Sequence, residues 1–176
     1  MSKISGKFFI EKLHSHYPII LLFISVMNEF DFNNLGLKYF SFNFSYILVF
    51  YFSLKKSESL GYGMIFIAGL FNDVVIGLPM GISSLIFLLL CVSAAYLRNI
   101  TLRPNLIKDW WFFLVSLLVI KSIFYFILTF IFDYNINFLN QAPNIIFTFL
   151  FYIVFSYLFY YIEFYFFGRS YDRWKF

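Results

Sequence analysis

The stretch GLFNDVVIGLPMG, from Gly69 to Gly81, interrupts a chain whose other long segments are almost entirely apolar. It places one carboxylate, one carboxamide, three glycines and a proline within thirteen residues. A charged group at membrane depth is costly and persists where it is paired, hydrated or functional. Glycine and proline at that depth indicate close helix contact or a broken helix. The stretch therefore predicts a tight helical turn rather than a plain lipid-facing span.

The composition places the chain among integral membrane proteins. Of its 176 residues, 62% are hydrophobic and 12% are charged, and the mean hydropathy is +0.82. A soluble domain of this length is closer to half apolar and a quarter charged. The length suits one compact bundle, so we predict a single membrane domain over residues 1–176 with no separate soluble domain.

Several chemistries are disfavoured by the residue types present. The single cysteine, Cys91, cannot form an intramolecular disulfide, and His14 and His16 lie far in sequence from any cluster of acids. We therefore expect no metal ion and no other cofactor. The net charge of +4 comes from basic residues that are scattered between the apolar segments, so we expect no nucleic-acid partner.

Six apolar segments approach the roughly 20 residues that a helix needs to cross the hydrocarbon core. We predict an all-α integral membrane protein with six transmembrane helices, at about residues 17–32, 37–54, 60–76, 79–97, 110–132 and 143–166. The basic N-terminal segment resembles the start of a signal peptide, but no small-residue cleavage site follows, so we interpret the first apolar segment as a retained helix. Trp110 and Trp111 open the fifth segment and are typical of interfacial anchors.

The distribution of basic residues predicts the orientation, because Lys and Arg concentrate on the cytoplasmic side. With both termini cytoplasmic, six spans place 11 of the 13 basic residues inside. Those residues are Lys3, Lys7, Lys12, Lys55, Lys56, Arg98, Arg103, Lys108, Arg169, Arg173 and Lys175. The outer loops then carry Lys38 together with Glu29, Asp31 and Asp133. A five-span arrangement would place the basic C-terminus outside, so six spans fit the charges better.

The third segment has a face that combines small and polar residues. Gly69, Asn72 and Asp73 follow i, i+3, i+4 spacing, and Gly77 continues their face one turn on. Such faces are typical of closely packed membrane helices. We expect a short turn toward the outer leaflet in which Pro79 opens the fourth helix. Asp73 then either caps that helix and ties the hairpin together, or binds a substrate, an ion or a partner, and both roles are compatible.

Two further ionisable residues lie within the predicted spans. Lys121 is about eleven residues from the cytoplasmic end of the fifth span, or roughly 16 Å at 1.5 Å per residue. This depth is close to mid-bilayer, so we predict that Lys121 faces the bundle interior, with Asp73 and Glu163 as candidate partners. Glu163 lies near the end of the sixth span, where we interpret it as an acid at the cytoplasmic interface.

The size, the six spans and the motif Gly69-Leu70-x-x-Asp73-x-x-x-Gly77-x-Pro79-x-Gly81 together resemble MreD, the rod shape-determining membrane protein family of bacteria. The resemblance covers the whole chain in architecture, while its specific motif is confined to residues 69–81. In that motif Phe71 and Asn72 replace two aliphatic residues.

The resemblance implies a non-enzymatic scaffold in the bacterial cytoplasmic (inner) membrane, surrounded by membrane lipid. Its bundle would be similar to the substrate-binding subunits of energy-coupling-factor vitamin transporters. The implied partner is an MreC-like bitopic protein, which has one span and an extracytoplasmic domain. Such a pair links MreB filaments to the wall-building glycosyltransferase RodA and its penicillin-binding protein, and so positions peptidoglycan synthesis and maintains rod shape.

Two other functions remain open. A small-molecule binding subunit of a vitamin transporter would retain a ligand through purification and would assemble with an energy-coupling module. An intramembrane enzyme would need at least two facing acids, a Ser/Lys or Ser/His pair, or a metal cluster. The sequence contains no recognised catalytic spacing, so we do not expect an enzyme.

Overall fold

The computed structural model describes residues 17–27, 41–56, 60–101, 105–134 and 138–167. Within these ranges the chain forms six helices, and the prediction of an all-α fold is confirmed for this part of the chain. The helices are α1 (Tyr17–Met27), α2 (Phe44–Lys55), α3 (Tyr62–Ile76), α4 (Ile82–Ile100), α5 (Leu106–Phe132) and α6 (Phe138–Phe167).

The described helices differ in whether their length suffices to cross a membrane. Three of them are long and apolar enough: α4, α5 and the Ala142–Glu163 part of α6. The other three are apolar but shorter. α2 has 12 residues and α3 has 15, so they are about 18 and 22 Å long at 1.5 Å per residue. Residues 28–32 and 37–40 of the first two predicted spans lie outside the described residues.

Three helix starts differ from the prediction. Pro79 does not open α4, because it lies in the preceding turn and the helix begins at Ile82. Pro143 lies inside α6, where its missing N–H removes one helical hydrogen bond. α5 begins four residues before Trp110, since the Asn105 side chain caps it by accepting a hydrogen bond from the Ile107 N–H at 3.0 Å. Hydropathy does not register such a cap, and the predicted start was therefore late.

α2 forms the centre of the bundle. All of residues 45–54 are buried, as is typical of a helix that is apolar on every side. α4 and α6 both pack against α2. The Phe50 ring lies 5.0 Å from that of Phe113 on α5, and the Phe52 ring lies 5.5 Å from that of Tyr17 on α1. α2 therefore contacts four of the other helices.

Contacts along the helices define two ends of the bundle. Near the start of α2 the Tyr46 ring lies 5.9 Å from Phe87, and near its end the Ser53 carbonyl accepts a hydrogen bond from Arg98 at 3.3 Å. α2 and α4 therefore run in the same direction. We call the end that holds the α3–α4 turn, residues 77–81, the turn end. The opposite end, which holds Lys55 and Lys56, is the lysine end.

Candidate functional site

The carboxylate of Asp73 caps the start of α4. Asp73 is 0% exposed and lies in the last turn of α3. Its Oδ2 accepts a hydrogen bond from the Gly81 N–H at 2.7 Å, and its Oδ1 accepts one from the Ser83 N–H at 2.9 Å. The first N–H groups of a helix have no partner within the helix, and the helix dipole favours an anion beside them. The predicted capping by Asp73 is therefore present, with both carboxylate oxygens engaged.

Two glycines allow the chain to reverse direction between α3 and α4. Gly77 ends α3 at φ 75°, and the Leu78 N–H donates to the Asp73 carbonyl at 2.9 Å, as in a Schellman ending. Gly81 precedes α4 at φ 100°. L side chains rarely adopt such angles, so substitution at either glycine is strained although the space around both is open. Pro79 lies between them and is partly buried.

Gly69 and Asn72 hold the two helices of the hairpin close together. A Cβ on Gly69 would lie 2.4 Å from the Ser84 Cα, which is closer than two such atoms approach, so the backbones would have to separate. One turn further on, the Asn72 side-chain amide donates to the Ser83 Oγ at 2.9 Å. The small and polar residues of α3 therefore form the face that it presents to α4, as expected for closely packed membrane helices.

The outer surface of the hairpin is apolar. Phe71 and Val74 are exposed on α3, and Met80 in the turn is 73% exposed. Asn72 and Asp73 are buried behind this surface. A molecule that approaches the hairpin from outside therefore meets apolar side chains, while the polar motif acts on the shape of the hairpin.

Two ion pairs, each between a partly buried lysine and a buried carboxylate, lie at the lysine end. The Lys55 Nζ lies 2.9 Å from the Asp109 Oδ2, which joins α2 to the first turn of α5. The Lys56 Nζ lies 3.2 Å from the Glu163 Oε1, which also accepts a hydrogen bond from the Tyr17 hydroxyl at 2.7 Å. These contacts connect α1, α5 and α6 to the end of α2.

The ion pairs give a structural role to four residues. Glu163 is only 5% exposed, so it is a buried ion-pair partner and not a solvated interfacial acid. The sequence predicts only a cytoplasmic location for Lys55 and Lys56, and it predicts no role for Asp109. The available signal for Asp109 was its place in the first turn of α5, where the helix dipole favours a carboxylate.

Lys121 is buried, as predicted, and lies among aromatic rings. It is 6% exposed. Its ammonium lies 5.0 Å from the ring centroid of Tyr46, 5.4 Å from that of Phe124 and 6.0 Å from that of Tyr125. A cation over aromatic faces is stabilised by their quadrupoles, by about 2 kcal/mol when the pair is desolvated. The aromatic residues are thus the immediate environment of this charge.

Neither acid that was predicted as a partner of Lys121 pairs with it. Asp73 is engaged by backbone N–H groups at the turn end, and Glu163 pairs with Lys56 at the lysine end. Within the described ranges, no carboxylate lies at ion-pair distance from Lys121. The predicted pairing is wrong because backbone N–H groups hold Asp73 at the turn end and Lys56 holds Glu163 at the lysine end.

A further polar cluster lies at the turn end, between the start of α2 and α6. The Asn43 side-chain amide donates to the Asn144 Oδ1 at 2.7 Å, and the Asn144 amide donates to the Ser41 Oγ at 3.0 Å. The Asn43 N–H donates to the Thr148 Oγ1 at 3.0 Å. Nothing in the sequence pairs these residues, because they are about a hundred positions apart and belong to no motif.

The structure does not bring the ionisable residues of the helices into one site. Asp73 and Glu163 lie at opposite ends of the bundle, and Lys121 contacts neither. Among the residues described, no group of three or more His, Cys, Asp and Glu side chains could hold a metal ion. No protein-family model, curated protein or solved structure matches this chain.

Proposed function

We propose that this protein is a non-enzymatic scaffold of the bacterial cell-elongation machinery, similar to the MreD family that its sequence resembles. It lies in the cytoplasmic (inner) membrane and pairs with an MreC-like bitopic protein. Through that partner it acts indirectly with MreB filaments, RodA and a penicillin-binding protein. It thereby helps to position peptidoglycan synthesis and to maintain rod shape.

The single observation that carries the proposal is the capped hairpin of α3 and α4. Asp73, Asn72 and Gly69 are all used to hold α4 against α3, and the surface that remains is apolar. Such a hairpin has a fixed shape and offers packing contacts to another membrane protein. The buried carboxylates Asp109 and Glu163 likewise tie helices together. This use of polar groups supports a scaffold rather than a catalyst.

The proposed orientation has both termini in the cytoplasm and six helices in the bilayer. Its support is that Lys55, Lys56 and Arg98 lie at one end of the bundle, which would face the cytoplasm. The turn end would then face outward, toward the extracytoplasmic domain of the bitopic partner. The three shorter helices would cross within a bilayer that the three longer ones span fully.

The substitution Asp73→Leu tests the proposal. It removes the acceptor of the Gly81 and Ser83 N–H groups, so α4 loses its cap and the hairpin loses its fixed shape. We expect the variant to insert into the membrane at normal levels but to lose association with the bitopic partner. Cells that depend on it should become round. The measurements are co-purification of the two proteins, immunoblotting of membranes and cell width by microscopy.

The matched control is Val154→Leu, which changes an exposed residue of α6 and leaves both the cap and the outer surface of the hairpin intact. Cells with this variant should keep their rod shape. Rod-shaped Asp73→Leu cells at normal protein levels would show that the hairpin assignment is wrong. Depletion of the whole protein without any change of shape would exclude the scaffold function itself.

A second candidate is the small-molecule binding subunit of a vitamin transporter. The observation in its favour is a groove of about 420 Å³ beside α5 that Lys121, Ser122 and Tyr125 help to line. This function predicts a ligand that stays bound through purification in mild detergent and is detected by mass spectrometry. It also predicts co-purification of an energy-coupling ATPase in place of an MreC-like protein.

A further inference from the structure

Among the described residues, the groove between α5 and α6 contains the one buried charge that has no role in the proposed scaffold. Its volume is about 420 Å³ and it is open toward the side of the bundle. Lys121 lies in its wall and is more than nine-tenths buried. Except for Ile145 of α6, all of the lining residues belong to α5: Leu118, Lys121, Ser122, Tyr125, Phe126, Thr129 and Phe130.

The ammonium of Lys121 lacks an anionic partner within the described part of the chain. Its neighbours are aromatic ring faces, which stabilise a cation but do not neutralise it. Ionisable groups at membrane depth are almost always paired or hydrated. By contrast, the partly buried Lys55 and Lys56 form ion pairs with carboxylates. The Lys121 groove is therefore complementary to an anion or another strong hydrogen-bond acceptor.

The depth of Lys121 indicates where that acceptor must come from. Lys121 lies 12 residues after Asp109 and 11 residues before Phe132, the last residue of α5. These separations correspond to roughly 18 and 16 Å at 1.5 Å per residue. Lipid phosphates lie at the interfaces, each about 15 Å from the middle of a core about 30 Å thick. A side chain of a membrane-spanning helix can reach such a position directly, which favours a helix as the source of the acceptor.

The shape and lining of the groove fit a helix that lies along α5. From Leu118 to Phe130 the lining residues of α5 fall at i, i+3, i+4, i+7, i+8, i+11 and i+12, so they form a stripe along one face. Leu118, Phe126 and Phe130 are at least half exposed and offer apolar contact. Ser122 and Thr129 add hydroxyl groups that can donate or accept across a helix interface.

We propose that the α5–α6 groove binds a transmembrane helix of a partner protein, and that an acidic side chain at mid-depth of that helix pairs with Lys121. This inference rests on the proposed function in one respect, namely that a bitopic protein is the partner. It adds the location of the contact and the chemistry of the partner helix. The α3–α4 hairpin and the groove then serve as two separate contact surfaces.

A model helix tests the proposal directly. The probe is a synthetic transmembrane peptide of Leu and Ala with one central Glu, and its matched control carries Gln at that position. Binding to the full-length protein is measured by energy transfer in phosphatidylcholine vesicles. We expect the Glu peptide to bind about tenfold more tightly than the Gln peptide, since a polar contact within the membrane contributes 1–2 kcal/mol. Lys121→Met should abolish the difference, and Lys121→Arg should retain it.

A second pair of variants keeps the test valid if Lys121→Met does not fold. Leu118 and Val119 are adjacent on α5 and are 50% and 53% exposed, but only Leu118 lines the groove. Leu118→Trp should fill the groove and weaken binding of the Glu peptide, while Val119→Trp should leave it unchanged. Equal weakening by both variants, or equal binding of the Glu and Gln peptides to the native protein, would overturn the proposal.

A lipid source for the acceptor is tested by reconstitution with phosphatidylglycerol followed by mass spectrometry of the lipid that stays bound on repurification. If the native protein retains more of this lipid than Lys121→Met does, and the Glu peptide shows no preference, the groove binds lipid and the helix proposal is wrong. The outcome is separable from that of the scaffold function. If the Glu peptide is preferred but depletion of the protein leaves cells rod-shaped, the groove proposal stands and the scaffold function is wrong. If depletion makes cells round but the peptides bind equally, the scaffold function stands and the groove proposal is wrong.

Discussion

The two ends of the bundle stabilise buried carboxylates by different means. At the turn end, backbone N–H groups eight and ten residues further along the chain hold Asp73. At the lysine end, Asp109 is held by Lys55, which is 54 residues away and on another helix. The first arrangement needs only α3, α4 and the turn between them. The second exists only when α2 and α5 are packed together. The stability of the lysine end therefore depends on assembly of the whole bundle, whereas the stability of the turn end depends on one hairpin.

The largest effect is expected from Lys55→Met, which removes the ion pair with Asp109 at the lysine end. The variant leaves the carboxylate of Asp109, whose side chain is 3% exposed, without its cation. Removal of one partner from a buried ion pair costs about 3 kcal/mol or more. We expect a loss of this size in the free energy of unfolding, measured by helical circular dichroism as sodium dodecyl sulfate is added to the protein in mild detergent.

The control for this effect is the double variant Lys55→Met with Asp109→Leu. Apolar replacement of both partners is often close to neutral, so most of the lost stability should return. An equal loss in the single and double variants would show that packing around Lys55, and not the charge left on Asp109, determines the stability of this end.

A smaller effect is expected from Gly69→Ala, which acts at the turn end. The added Cβ meets the backbone of Ser84 at 2.4 Å, so α3 and α4 must move apart. Overpacking of this kind costs about 2 kcal/mol. The matched control is Gly63→Ala on the same helix, where the Cβ meets nothing within 4 Å, and which should stabilise α3 by up to about 1 kcal/mol. In the same unfolding assay, we expect Gly69→Ala to lower the free energy of unfolding and Gly63→Ala to raise it. A change in the same direction for both variants would contradict the close approach at Ser84.

The smallest effect is expected from Asp73→Asn, which alters the cap at the turn end and leaves the ion pairs at the lysine end unchanged. The carboxamide keeps one acceptor oxygen, so one of the two N–H groups at the start of α4 loses its bond, at a cost of about 1 kcal/mol. Because the two ends share no partners, this loss should add to that of Lys55→Met within about 0.5 kcal/mol. Strong non-additivity would mean that the hairpin and the ion pairs form one cooperative unit.

The parts of the fold that sequence predicts well are those set by local contacts. The apolar segments locate the helices, and the i, i+3, i+4 spacing of Gly69, Asn72 and Asp73 identifies the α3 face that packs on α4. Capping by Asp73 follows from its position just before a turn. Hydropathy alone misplaces helix starts where a polar side chain caps the helix, as Asn105 does at α5.

The parts that sequence does not predict are pairings between distant helices. Lys55 with Asp109 and Lys56 with Glu163 lie at separations that follow no period. Asn43 and Asn144 meet because α2 and α6 start side by side at the turn end. The depth of Lys121 in its predicted span leaves Asp73 and Glu163 both as candidate partners, and in the structure both acids have other partners.

Residue order alone predicts an apolar, helical chain with a tight turn between Gly69 and Gly81, because hydropathy and turn signals depend on residues close together in the chain. Which charges are neutralised depends on which side chains share a buried space once the helices have packed. In the described part of the chain, Lys121 lies in the wall of a groove with no carboxylate at ion-pair distance. A buried charge is costly to leave alone, so the arrangement of the helices, and not the residue order, indicates where a partner is needed.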